Sequence, residues 1–174
     1  MTHLHNDHAG GLTTLDEHGE LYSVFPNATI YVSETEWEEM RHPNIRSKNA
    51  YWKENWEPIQ NQVKTFQTSL TVHPMMEMNH TSVHSAGHSI IKITVGEDVI
   101  YHMGDLLGTH AHMPSLWVMA YDDYPMDSIE QKEAIIRKGI AEGAYFTFYH
   151  DAYYRVVRWS TDGREIVERL KRKR

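Results

Sequence analysis

The chain has 174 residues, 24% of them charged and 40% hydrophobic, proportions that suit a packed core and argue against disorder. Its formal net charge of -7 offers no general attraction to phosphate backbones or anionic membranes, so neither nucleic acid nor a membrane is an expected partner. There is no cysteine, which removes disulfides and thiolate metal sites and fits a cytoplasmic protein; any metal must take nitrogen and oxygen ligands.

In chain order, Thr2 to Gly11 shows no helical periodicity and ends on Gly10-Gly11, which predicts a loop leaving a strand end. No signal peptide is read there, because the first residues are polar and histidine-rich. Ala28 to Ser33 is short and β-branched, a predicted strand, and Ser33 with Glu36 reads as a capping box opening a helix that stops before Pro43. Residues Ala50 to Val63 predict a helix with an aromatic face that Pro58 interrupts. Strands are predicted at Leu70 to His73, Ile90 to Val95 and Val99 to His102, the last two joined by a turn. A second long helix starts at Asp127 and ends at Gly143, followed by an aromatic strand from Tyr145 to Tyr149. Two further segments, Arg155 to Trp159 and Glu165 to Leu170, flank a turn at Thr161 to Gly163, and the basic run Lys171 to Arg174 reads as a solvated helix end. Alternating strands and helices predict an α/β layered fold, and the length suits a single domain over residues 1–174.

Thirteen histidines are far more than ordinary usage supplies. His3 and His5 stand two apart, so in an extended segment their side chains leave on one face and can meet one ion. Asp7 and His8, adjacent and beyond the turn, point differently and suit a second ion. Carboxylate and imidazole donors together suit zinc, with manganese, cobalt or iron served by the same set. Further ligands are expected beside strand ends: His84, ahead of the strand at Ile90; Asp105, after the strand that ends near His102; and His150, after the aromatic strand. His88 is expected to hydrogen-bond behind the ligands rather than to bind metal. The pair His110 and His112 lacks a trailing Asp-His and reads as lining or loop structure, while His18, His42, His73, His80 and His102 have no partner at ligand spacing.

The run Thr2-His-Leu-His-Asn-Asp-His-Ala-Gly-Gly11, followed by His84-Ser-Ala-Gly-His88, Gly104-Asp105 and His150-Asp151, resembles the metallo-β-lactamase superfamily. Gly104-Asp-Leu-Leu through His110, together with Tyr121-Asp-Asp-Tyr-Pro125, is most similar to its quorum-quenching lactonase branch and the organophosphate-hydrolysing relatives. The resemblance implies an αββα sandwich and two zinc ions, one held by His3, His5 and His84, the other by Asp7, His8 and His150, with Asp105 bridging. It further implies that a hydroxide shared by the metals opens a lactone, N-acyl-homoserine lactone being the leading candidate, and that Asp7 donates the proton to the leaving oxygen. Another ester or phosphotriester hydrolase of the same fold is the alternative, and a non-catalytic metal-binding fragment is the rival from a different class. Substrate contacts are assigned to His110, Tyr121 and Tyr124, because the tyrosine that these lactonases place three residues after the bridging aspartate is Gly108 here. In this superfamily several strands precede the histidine loop, whereas here Met1 stands where the feeding strand ends. The expectation is a chain lacking those N-terminal strands through truncation or a mis-called start, or recruiting them from a partner. The expected partners are a small lactone or ester and, as an option, a second copy of the chain in a homodimer.

Overall fold

A computed structural model of the chain describes residues 1–173. Its largest element is a seven-stranded sheet in the order β11-β10-β9-β8-β7-β6-β5, formed by β5 (Ser69–His73), β6 (Met76–His80), β7 (Ser89–Val95), β8 (Asp98–His102), β9 (Tyr145–Thr147), β10 (Tyr154–Trp159) and β11 (Ile166–Lys171). All neighbours are antiparallel except β8 and β9. That one parallel joint needs a crossover, which the helix α4 (Pro125–Ala141) supplies within the connection. α4 begins two residues before the expected Asp127, with Pro125 in its first turn, where a missing N–H costs nothing.

The joint decides where chemistry can gather. Because β8 and β9 run parallel and β7 runs against β8, the start of β7 and the ends of β8 and β9 all reach the same sheet edge. Residues before Ser89, after His102 and after Thr147 therefore meet there, and these are the segments that carry His84, Asp105 and His150. Under the sheet, Val83, Ile90, Tyr101, Met103, Leu106, Leu107, Ile136, Phe146, Val157 and Trp159 form one buried cluster that joins α4 to the strands.

A second cluster builds the other half. β3 (Ile30–Ser33) pairs in parallel with β4 (Val63–Phe66), and α2 (Glu34–Arg41) follows β3 directly. Leu4, Ala9, Leu12, Ile30, Val32, Met40, Tyr51 and Ile59 pack together here. The N-terminal segment is threaded between the two halves: the Met1 amino group donates to the Tyr31 carbonyl at 2.6 Å, and the Thr2 carbonyl accepts from the Ser89 amide at 2.8 Å. The expected loop of residues 2–11 includes one helical turn, α1 (Asn6–Ala9), and a 3₁₀ turn at Gly10–Leu12. Between Ala50 and Val63 the expected interrupted helix is α3 (Lys53–Trp56), continued by a 3₁₀ segment with Pro58 near its start.

Three strands carry no clear sequence signal. β1 (Thr13–Leu15) and β2 (Leu21–Ser23) form a small hairpin of their own, and β6 is built from Met, Glu, Asn and His rather than from β-branched residues. The basic tail is not a helix end: Lys171 closes the strand β11, and Arg172 folds back against the sheet edge; Arg174 lies outside the described residues. Among the described residues no helix is long and apolar enough to cross a membrane.

Candidate metal centre

Leu4 turns into the core at 2% exposure, while the rings of His3 and His5 on either side of it lie 4.6 Å apart, centroid to centroid. The chain then enters α1, which presents Asp7 and His8 from a different direction. His84 arrives from the turn before β7 in a left-handed backbone conformation with φ 65°, a geometry that costs a non-glycine residue about 1–3 kcal/mol and persists only when its surroundings impose it. Those surroundings are specific: the His84 amide donates to Ser128 Oγ at 3.3 Å, its carbonyl accepts from the Asp123 amide at 2.8 Å, and its Nδ1 lies 2.7 Å from Asp122 Oδ1. With Nδ1 carrying the proton toward Asp122, the Nε2 lone pair faces the centre.

Asp105 sits in a 3₁₀ turn just after β8. Its position depends on Gly104, whose φ is +51°, and on His88 behind it. A Cβ at residue 104 would stand 2.6 Å from His88 Nε2, the atom that accepts the Asp105 amide at 3.2 Å. The other ring nitrogen of His88 donates to Thr81 Oγ1 at 3.0 Å, since that hydroxyl is itself committed to the His88 carbonyl. His88 therefore stands behind the centre as a support for the aspartate.

The seven side chains meet in two groups. His3, His5 and His84 form one, and Asp7, His8, Asp105 and His150 the other, and within each group the ligand atoms lie within 4.8 Å of one another. His84 Nε2 is 3.2 Å from His5 Nδ1. His8 Nε2 is 3.3 Å from His150 Nε2, and Asp7 Oδ2 is 3.4 and 3.3 Å from these two nitrogens. Asp105 faces both groups: Oδ1 lies 3.1 Å from the Nε2 atoms of His8 and His150, and Oδ2 lies 3.5 Å from His84 Nε2.

This crowding tests whether divalent metal fits. His3 Nε2, His5 Nε2 and Asp105 Oδ1 are buried without an aligned hydrogen-bond partner, three of the four such side-chain atoms among the described residues. Buried polar atoms are normally satisfied, and lone pairs that converge without protons between them are what a cation satisfies. Electrostatics agree. Burial, then the neighbouring imidazoles, hold His3 well below its ordinary value, and burial with His84 beside it lowers His5 to about 4, so both are neutral donors at pH 7. Burial pushes the Asp105 carboxyl up, but His150 and His8 beside it pull harder and keep it ionised far below the usual carboxylate range. His150 is raised by Asp105, and His84 is raised because Asp122 and Asp105 outweigh its burial. The donor set of imidazoles and carboxylates suits zinc, manganese, cobalt or iron.

A cleft of about 820 Å³ opens over the centre, bounded by His5, Asp7, Asp105 and His150 on its floor and by Arg46, Ser47, Met119 and Tyr121 among its walls. Tyr121, expected to touch substrate, is on that wall and 77% exposed. His110 and Tyr124 stand outside it. His110 is held by its amide and Nδ1 to Asp151 Oδ2 and meets Tyr154 edge-on, while Tyr124 precedes α4 with its carbonyl accepting the Ser128 amide. His112 is likewise turned to Thr109. At residue 108 a Cβ would lie 3.0 Å from Met119 and 3.5 Å from His150, so Met119 fills the space that a side chain there would claim.

Three supports have no signal in the sequence. Asp122 is one of two adjacent aspartates, with nothing to say which faces inward, and Arg172 stands in a basic run that suggests a solvated tail. Arg172 instead donates to the Phe148, Tyr149 and Asp151 carbonyls, clamping the turn that carries His150. Glu36 has the spacing of a capping residue. Ser33 Oγ does accept its amide at 3.0 Å, but its carboxylate is spent on Leu4, Tyr51 and Ser85.

The metallo-beta-lactamase superfamily model matches residues 1–150. No curated protein matches the chain. Among solved structures, a probable metal-dependent hydrolase from Staphylococcus aureus is 43% identical with a TM-score of 0.93, covering 100% of this chain and 61% of its own. AidC, a dizinc quorum-quenching lactonase solved with a product, is 16% identical at a TM-score of 0.75, and the hydrolase AbOPH of the beta lactamase superfamily is 21% identical at 0.78. Both alignments cover 99% of this chain and 63% of the other, and at these identities they speak for the fold. The chain thus spans about three fifths of the length of these three structures. A family match over most of its length, a mixed α/β sheet with its ligand loops at one edge, and two groups of donors sharing one aspartate lead to one conclusion: the chain belongs to the metallo-β-lactamase superfamily.

Proposed function

We propose that the chain carries the centre of a dinuclear metal-dependent hydrolase that opens lactones, with N-acyl-homoserine lactones as the leading substrate class. The observation that carries this reading is Asp105, whose two oxygens face the two donor groups separately, as a carboxylate shared by two ions requires. His3, His5 and His84 hold one ion, Asp7, His8 and His150 the other. A bound pair would supply Lewis acidity, lowering the pKa of water to about 7 and polarising a carbonyl.

The protein's own part is positioning. Asp122 and Arg172 fix His84 and His150, so the donors need no rearrangement before reaction. Asp7 is the more exposed carboxylate of the set, 47% accessible and lining the cleft, which supports a role in which it would take the proton released by the attacking water and pass it to the leaving oxygen. Tyr121 offers a hydroxyl and an aromatic face from the wall, the contact that Gly108 does not provide. The quorum-quenching lactonase AidC supports the substrate class by fold alone; the likeness to AbOPH leaves a phosphotriester or other ester as the second reading.

The test is hydrolysis of N-hexanoyl-homoserine lactone by the zinc-loaded chain, followed by proton release. Turnover abolished by chelation and restored by zinc is expected. Hydrolysis of a phosphotriester with no lactone opening would favour the second reading, and metal uptake without any turnover would favour a binding fragment.

A further inference from the structure

We propose that Glu36 is the positioning residue of the tri-imidazole half of the centre: its buried carboxylate sets the spacing between the His3–His5 segment and His84. The inference rests on the metal-centre reading above and goes beyond it in assigning a residue that binds neither metal nor substrate.

Glu36 is 0% exposed. Its Oε1 accepts from the Leu4 amide at 2.7 Å and from the Tyr51 hydroxyl at 3.0 Å, and its Oε2 accepts from Ser85 Oγ at 2.7 Å. Leu4 lies between His3 and His5, and Ser85 follows His84, so one carboxylate ties together the two stretches of chain that supply all three imidazoles. Only an ionised carboxylate can take three donors without offering a proton of its own. A neutral amide of the same shape would turn an N–H group toward one of them.

The carboxylate is itself held. Ser33, which caps α2, donates its Oγ to the Gly87 carbonyl, and Glu39, further along the helix, accepts the Ala86 amide on Oε2 at 2.7 Å. Together with Ser85 Oγ on Glu36, three successive residues of the turn after His84 are gripped by Ser33, Glu36 and Glu39, spaced three apart along α2 and its cap. The contact is close enough to demand glycine at 87, where a Cβ would lie 2.0 Å from the Glu36 backbone nitrogen. Glu36 therefore cannot shift relative to the His84 turn, and through Leu4 it fixes the other two imidazoles to the same frame. The second donor group is tied by other contacts: Asp7 and His8 follow in α1, the Tyr149 hydroxyl donates to the Asp7 carbonyl at 2.7 Å, and Arg172 clamps the turn that carries His150, and Glu36 touches none of these residues. Burial lifts the Glu36 carboxyl to about 6, which keeps it ionised at neutral pH with little to spare.

The experiment is a zinc titration of the whole metal-free chain against a chromophoric chelator, repeated with cobalt to distinguish the imidazole-rich site from the carboxylate-rich one by absorption. Wild type, Glu36→Gln and Ser85→Ala are compared, with thermal unfolding of each metal-free protein as the control. Supports behind metal ligands typically contribute 10–100-fold in affinity. Glu36→Gln is expected to weaken one equivalent by that factor and the other by less than about 3-fold, with Ser85→Ala weakening the same equivalent about 10-fold. Should Glu36→Gln fail to fold, Ser85→Ala decides alone. Wild-type affinities in both variants, or an equal loss at both sites that follows the loss of thermal stability, overturn the assignment while leaving the centre itself intact. A wild-type chain that takes up no metal overturns the centre and the inference together.

Discussion

Asp122 Oδ1 lies 2.7 Å from His84 Nδ1, and both side chains are almost fully buried, at 2% and 1% exposure. The pair fixes the imidazole tautomer and its ring plane from behind, the role that carboxylates play toward metal-bound histidines. Asp122→Ala frees the ring and leaves a buried N–H without a partner. Metal affinity and lactone turnover are expected to fall 10–100-fold, while Asp122→Asn, which keeps an oxygen acceptor, loses less. Equal losses in the two variants, read by chelator competition, would count against an orienting role.

Arg172 makes a prediction for the other donor group. Its guanidinium collects three carbonyls around His150, one of them Tyr149 at 2.8 Å, and Tyr149 in turn donates its hydroxyl to the Asp7 carbonyl at 2.7 Å. Arg172→Ala removes several charge-assisted hydrogen bonds at once and should slow turnover about tenfold, with a destabilisation of roughly 1–3 kcal/mol. Arg172→Lys restores only part, because an ammonium cannot fork across three acceptors. Unchanged turnover in Arg172→Ala would show that the turn holds its shape without the clamp.

Acid should unfold the metal-free protein. The folded-state value of His5 is about 4 against 6.5 in the unfolded chain, lowered by burial and His84, so between these values the unfolded state binds more protons. Stability therefore falls as pH drops through this window, by about 3 kcal/mol from His5 alone, and His3 adds in the same direction. His84 and His150 behave oppositely: their values are raised, so metal must displace protons from them, and affinity should climb as pH rises above 6.5. Urea midpoints against pH and proton release in weak buffer measure the two effects. A metal affinity independent of pH between 6 and 8 would contradict the second.

How much of this is legible in the sequence follows from how each residue is placed in the chain. His3, His5, Asp7 and His8 fall within six residues, so the spacing of two in the first pair, and the turn that sets off the adjacent second pair, mark them as two sets. His84, Asp105 and His150 are marked by strand ends, and the parallel β8–β9 joint is the reason those ends meet. The supports leave no such mark. Glu36 sits on an ordinary amphipathic-looking helix start, Asp122 is half of an acidic pair, and Arg172 hides in a basic run; each acts through a contact 20 or more residues away in sequence. β6 is illegible because Met76 to His80 lacks β-branched residues; its place between two strands outweighs its local preference. The neighbours of His110 in sequence draw it toward the cleft, yet Asp151 holds it elsewhere.

Gly104 gives a stability prediction free of any ligand. With φ at +51° and His88 Nε2 only 2.6 Å from the place a methyl group would take, Gly104→Ala combines backbone strain with a clash against a fully buried ring. A loss of about 2–4 kcal/mol is expected, together with displacement of Asp105. Gly11→Ala, where nothing lies within 4 Å, is the control and should change little. Similar urea midpoints for the two variants would show that His88 yields.

The central claim is that Asp105 stands between two cations. Crystals of the zinc-loaded chain measured at the zinc absorption edge test it most directly. Two anomalous peaks about 3.5–4 Å apart, one beside His3, His5 and His84 and the other beside Asp7, His8 and His150, with Asp105 touching both, are the result the account predicts. A single peak, or peaks away from Asp105, would contradict it.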